Sequence, residues 1–221
     1  MSNKAGATPR SAPGTSSGGP AALGFRAHAG WASMVCVVGP ARAPRVVGRW
    51  HIALAGSATP RTVQPYHAAR TLPLIEATGV VQRAADHARQ LARDAIRRAV
   101  RDLEGQVAVV ACGLGIGSTR PAPVLAVTLA SHALVHAAEG LLFREALAAG
   151  AVDCGLPVTA VRERDLYLRA TTTLAISLSS LRKRLIELGQ PIGPPWREDE
   201  KLAALAAWLA LVVERRVAAG T

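Results

Sequence analysis

Val107–Ala149, VAVVACGLGIGSTRPAPVLAVTLASHALVHAAEGLLFREALAA, is the stretch whose reading decides the fold. It opens on an apolar, β-branched run, Val107–Ala111, passes through Gly113, Gly115 and Gly117, and continues with apolar residues at helical spacing. Those signals predict a buried strand, a glycine-rich turn and a helix from about Pro121 to Ala149. A strand feeding a helix is one unit of an α/β fold, and the flanking sequence supplies further units.

Upstream, Met34-Val-Cys-Val-Val38 and Arg45–Leu54 read as two strands joined by a proline-containing turn, which predicts a hairpin. Residues 1–30 are rich in Ser, Gly, Pro and Ala without hydrophobic period, the composition of a disordered tail. Gly56–Pro73 carries Pro60, Pro65 and Pro73 and reads as irregular, with at most a short edge strand at Thr62–Gln64. In Glu76–Leu103, Val80, Ala84, His87, Leu91, Ile96 and Val100 recur at helical spacing. Arg83, Arg89, Arg93, Arg97, Arg98 and Arg101 fall mainly opposite them, predicting an amphipathic helix with a basic outer face.

Downstream, Pro157–Val161 reads as a strand, Tyr167–Ala175 and Ser179–Leu188 as helices, and about Glu198–Val217 as the last helix. Residues 31–221 are therefore expected to form a single α/β domain, a mixed sheet flanked by helices, with a helical insertion at about 167–195.

Charge and cysteine usage bound the function. The chain has 26 Lys and Arg against 15 Asp and Glu, a net charge of +11. Only Lys4, Lys183 and Lys201 of the basic residues are Lys, and no acid precedes Glu76. Arginine suits bidentate phosphate contacts, which points to a nucleic-acid or other polyanionic partner; Ala- and Arg-rich usage from GC-rich coding, with an Arg-biased solvated surface, is the equal alternative. Cys36, Cys112 and Cys154 form no CxxC pair, which fits reduced thiols and a cytoplasmic protein. The longest apolar run, Leu202–Val213, is about half a helix short of a membrane span, so no membrane partner is expected. Nothing in the sequence sets the oligomeric state.

On the central helix, His132, His136 and Glu139 fall within roughly a 60° wedge, which also holds Leu125, Leu129 and Phe143. Two imidazoles four residues apart can face one ion, and a carboxylate three further on adds a hard ligand. A divalent metal is the one cofactor this face suggests. The competing reading packs both imidazoles against the sheet with satisfied hydrogen bonds. Ala133 stands where a zinc peptidase places its general base, so peptidase chemistry is not indicated. Gly113, Gly115, Gly117 and Ser118 lie between strand and helix, the context of a phosphate-binding loop, although the GxGxG spacing lacks a dinucleotide or P-loop ending. No Ser or Cys has the setting of a catalytic nucleophile.

The order strand, strand, helix, strand, helix, strand, helices resembles the ribonuclease-H-like fold shared by RuvC-type resolvases and related nucleases. That resemblance implies a carboxylate cluster holding two divalent metals, with one acid on the first strand. Val35–Gly39, the first strand as read, has none, and only Asp199 and Glu200 on the last helix match. The expectation is therefore a nucleic-acid-associated protein without two-metal nuclease chemistry. Ala170–Gly189 resembles the helix-turn-helix of Fis-type DNA-binding proteins. Ile176 and Ser177 fall in its turn, Leu181, Leu185 and Leu188 on its buried face, and Arg182, Lys183 and Arg184 on the helix that would enter the groove; Ala175 stands where that family's turn has Gly. Two rivals remain: a small-ligand or metal-binding enzyme using a pocket between the glycine loop and His132/His136/Glu139, and a scaffold presenting the Leu202–Val213 helix.

Overall fold

The computed structural model describes residues 18–56, 60–117 and 123–220. Five strands form one sheet: β1 (Pro20–His28), β2 (Trp31–Val38), β3 (Arg45–Ala53), β4 (Ala108–Ile116) and β5 (Val158–Arg162). Among the described residues eight α-helices surround it: α1 (Pro60–Val63), α2 (Pro65–Ala69), α3 (Leu74–Asp102), α4 (Leu125–Ala130), α5 (His132–Val152), α6 (Leu166–Leu174), α7 (Leu178–Glu187) and α8 (Glu198–Ala219). The strand order is β3-β2-β1-β4-β5. β2 runs antiparallel to both neighbours, while β4 is parallel to β1 and β5 to β4.

Alternating side chains divide the core into two layers. Leu23, Phe25, Met34, Cys36, Cys112 and Leu114 point to one face, where they meet Ile96 of α3 and Leu142, Phe143 and Leu147 of α5. Ala22, Val35, Val37 and Ala111 point to the other, under Trp208 and the rest of α8. Residues Ala203–Val212 are all buried because α8 has the sheet beneath it and Leu166, Leu181, Leu185 and Leu188 of α6, α7 and the residues after α7 above it. The longest apolar run is thus a doubly covered helix, and it presents no open face for the scaffold role expected of Leu202–Val213. Among the described residues no helix is long and apolar enough to cross a membrane.

Four expectations are corrected. β1 lies inside the stretch read as a disordered tail, and it is the middle strand of the sheet. Its Ala and Gly give no β signal; pairing on both sides with β2 and β4 makes it a strand. Gly56–Pro73 holds α1 and α2 instead of an edge strand. The long helix breaks at Ser131, whose extended backbone ends α4 and whose hydroxyl accepts the Leu134 amide at 3.4 Å to start α5. The buried stripe of α3 is Ala77, Ala88, Ala92, Ala95, Ile96 and Ala99, while Val100 and His87 are exposed. Small side chains there let α3 and α5 approach closely.

Gly24 of β1 and Gly113 of β4 are explained by a similar demand. Gly24 and Gly113 are register partners on adjacent strands. A Cβ on Gly24 would lie 1.9 Å from the Ala203 carbonyl oxygen, and one on Gly113 2.0 Å from that of Ala206. α8 rests on bare backbone at this point. Gly113 and Gly115 are therefore strand residues, and the loop expected at 113–118 is displaced beyond Ile116.

Candidate functional sites: the sheet edge, a basic hairpin and a histidine cluster

Parallel β1, β4 and β5 bring their C-terminal ends to one edge of the sheet, where ligands bind in open α/β sheets. β1 delivers Arg26 and His28 there, and the 3₁₀ turn after β5 delivers Glu163. The first turn of α8 adds Asp199 and Glu200. Arg26 forms an ion pair with Glu163 and approaches Asp199 at 3.6 Å. Arg144 of α5 also donates to Glu163, at 3.1 Å. His28 Nε2 lies 2.9 Å from the Asp199 carboxylate, with its ring stacked on Trp31 at 4.1 Å. Glu200 caps α8, accepting the Arg197 amide at 2.7 Å and the Ser33 hydroxyl at 3.3 Å. The acids near the start of α8 thus divide: Glu200 serves the helix, and Asp199 serves the edge.

Two divalent ions held by hard oxygen ligands need several unclaimed carboxylates. At this edge the carboxylates of Glu163 and Asp199 already face guanidinium and imidazole groups, and neither β1 nor β4 contributes an acid. The residues present do not fit a two-metal centre. Arg26, His28, Arg144 and Glu163 were not singled out by sequence reasoning. The signal for Arg26 and His28 is the alternation Phe25-Arg26-Ala27-His28, which marks a strand end with one polar face.

The glycine signal is accounted for without a phosphate. Gly113 faces α8, Gly115 faces the Glu163 side chain, and Gly117 lies opposite the Arg144 guanidinium, 3.5 Å from where its Cβ would be. Ser118 lies outside the described residues. A cavity of about 590 Å³ opens between α3, α4 and α5, lined among others by Tyr66, Val81, Gly117, Leu134, Leu141 and Arg144. Gly117 lines this cavity, while His132, His136 and Glu139 are not among its described lining residues.

α6 and α7 make a helical hairpin. Ala175 between them takes φ +51° and ψ +47°, the left-handed geometry that glycine would adopt without cost. Ser177 caps α7 by accepting the Ser180 amide at 3.1 Å. Leu181, Leu185 and Leu188 are buried, as the helix-turn-helix resemblance implies. Arg182 and Lys183 are exposed, Arg182 lying 6.0 Å from the Tyr167 ring centre and Lys183 3.8 Å from Glu187. Arg184 instead reaches back to donate to the Arg42 carbonyl at 2.8 Å.

The third site is histidine-rich. His132 and His136 stand in the first turns of α5, exposed, with their Nε2 atoms 2.9 Å apart. They are not packed against the sheet. His67 of α2 joins them, its ring centre 4.7 Å from that of His136 and 5.7 Å from that of His132. Among the described residues this is the one group of three ligand-type side chains whose donor atoms all lie within 4.8 Å of one another. Glu139 is buried and lies behind it, accepting the His67 amide at 3.0 Å and facing its Nδ1 at 3.3 Å. Burial pushes the Glu139 carboxyl up, against the pull of the His67 hydrogen bonds. His132 is held below the usual imidazole range, first by His136 and then by burial, Arg70 and His67. Sequence reasoning found His132, His136 and Glu139 but missed His67, which sits in the proline-punctuated stretch read as irregular.

Comparisons with known proteins return fold-level likeness alone. No protein-family model matches the chain, and no curated protein matches it in sequence. Among solved structures it is similar to one titled "Thermus thermophilus RuvC structure", with 12% identity, a TM-score of 0.49, and coverage of 89% of this chain and 96% of that one. It is also similar to "T. thermophilus RuvC in complex with Holliday junction substrate", with 12% identity, a TM-score of 0.48 and coverage of 89% and 95%. The strand order, with only β2 reversed, is itself the ribonuclease-H-like arrangement.

Proposed function

We propose that the protein binds nucleic acid through the α6–α7 hairpin and does not cut it by two-metal chemistry. The observation that carries this reading is the pairing of a left-handed turn at Ala175 with an exposed, capped α7 bearing Arg182, Lys183 and Arg184. A helix presented in this way can bring consecutive cations to a phosphate backbone. The net charge of +11 supplies long-range attraction of the same sign. The sheet edge supports the second half of the proposal, since Arg26, His28 and Arg144 take up the charge of Asp199 and Glu163.

Salt dependence of binding tests the reading. Each neutralised phosphate adds about 0.9 to the slope of log K against log salt on duplex DNA. Arg182 and Lys183 are exposed and held only by surface contacts with Tyr167 and Glu187, whereas Arg184 is engaged with the Arg42 carbonyl. The variant R182A/K183A/R184A should therefore lower the slope by about 2 rather than 3. An unchanged slope, or no binding at low salt to duplex DNA, single-stranded DNA or RNA, refutes it.

A further inference from the structure

We propose that His67, His132 and His136 bind one zinc-class divalent ion that clasps α2 to the start of α5. The inference goes beyond nucleic-acid binding and uses different residues. A tetrahedral ion about 2.05 Å from each nitrogen places neighbouring ligand nitrogens roughly 3.3 Å apart, and a compressed angle near 90° places them at about 2.9 Å. The His132 and His136 Nε2 atoms are 2.9 Å apart, with ring centres at 4.3 Å and planes crossed at 84°. Crossed rings with adjacent nitrogens leave room for one ion to be shared between them. His67 approaches the same point from a separate element.

The surroundings of His67 carry the argument further. A metal-bound imidazole commonly hands its other ring nitrogen to a carboxylate, which fixes the tautomer and orientation. Glu139 holds His67 Nδ1 in that way and also accepts the His67 amide, so Nε2 is the ring nitrogen left for an ion. Its second oxygen, Oε2, is buried and has no hydrogen-bond partner among the described residues. Placing a carboxylate there is costly, and ordering a ligand imidazole gives it a use. Imidazole ligands suit zinc and its neighbours better than calcium or magnesium.

The protein supplies three ligands and no more. No fourth His, Cys, Asp or Glu joins the group, and residues 1–17, 57–59, 118–122 and 221 contain none of these types. Water or an external ligand completes a tetrahedron. Glu139 is turned to His67, so it is not placed to act as general base on that water, and the site reads as a clasp. The start of α5 is the positive end of its helix dipole and opposes a cation there. That opposition is confined to the first turn and screened by salt, and it is small beside three metal–imidazole bonds. A metal-free N–H···N hydrogen bond between His132 and His136 would also give 2.9 Å, and the experiment separates the two.

The untagged full-length chain, stripped with chelator, is titrated with zinc and with cobalt. One equivalent is expected, with the intense visible absorption of tetrahedral cobalt. Zinc at about 100 times its dissociation constant should raise the melting temperature by roughly 5–10 °C. H132A and H136A sit on exposed positions and should fold as the wild type while losing stoichiometric binding. E139Q should weaken binding by about 10–100-fold, and H87A, remote from the cluster, should bind as the wild type. Circular dichroism of each variant separates lost binding from lost folding. Absence of one-to-one binding in the folded wild type, or binding that survives in H132A/H136A, overturns the proposal.

Discussion

Replacing Gly113 with Ala tests the close approach of α8 to the sheet. The added Cβ would lie 2.0 Å from the Ala206 carbonyl oxygen, 2.3 Å from its carbon and 3.0 Å from the Ala207 nitrogen. None of these atoms is the end of a flexible side chain; all belong to the backbone of α8. The helix must lift by about 1 Å, and a gap of that size forfeits a quarter to a half of each dispersion contact it opens. Overpacking of this kind costs about 1–3 kcal/mol, and rigid backbone on both sides puts Gly113→Ala near 3 kcal/mol. For a chain of this length that is a fall of about 6–12 °C in melting temperature, read by calorimetry or circular dichroism. Gly24→Ala should behave alike, and the double variant should lose less than the sum, because one displacement of α8 relieves both clashes. Gly19→Ala, with no atom within 4 Å of its Cβ, is the neutral control. If Gly113→Ala melts with the wild type, or impairs ligand binding without changing stability, the close approach of α8 is wrong.

Ala175→Gly should raise the melting temperature by about 1–4 °C, because relief of a left-handed alanine, about 1–2 kcal/mol, exceeds the added chain entropy; a loss of stability would show that the turn is built otherwise. Arg26→Ala should destabilise by about 1–3 kcal/mol in denaturant titrations, since it strips Glu163 and Asp199 of a shared, partly buried cation; a neutral result would mean that the edge network contributes little. Burial pushes the Cys36 thiol up to about 12 and the Cys112 thiol higher still, so both stay protonated and unreactive well above neutral pH. At pH 8, mass spectrometry after alkylation should find label on Cys154 alone, slowly because its thiol is also raised, and on all three cysteines only after unfolding.

How far the sequence could be read follows from side-chain size. The hairpin of β2 and β3 and the buried leucines of α7 were visible because Val, Ile and Leu cluster at strand or helix period. β1 was hidden because Ala21, Ala22 and Gly24 are weak strand formers, and their small size is what lets the middle strand accept α8. The stripe of α3 was misplaced for a related reason: its buried face is alanine, while Val100 is left outside. At the sites, local spacing found His132, His136 and Glu139 on one helix. It could not find His67, because a ligand from another element is joined only by tertiary packing of α2 on α5. Arg26 was missed with its strand, and with it the reason that Asp199 has a partner other than the helix end.

Electrophoresis of labelled duplex and branched DNA with the protein in millimolar Mn²⁺ tests the central claim most directly, because one gel reads both binding and cleavage. The expected result is a retarded band that weakens steeply with salt, weakens further in R182A/K183A/R184A, and releases full-length DNA on denaturation. Mn²⁺-dependent cleavage by the purified wild type that tracks the protein through Arg26→Ala would contradict it, as would DNA that is not retarded at any salt concentration.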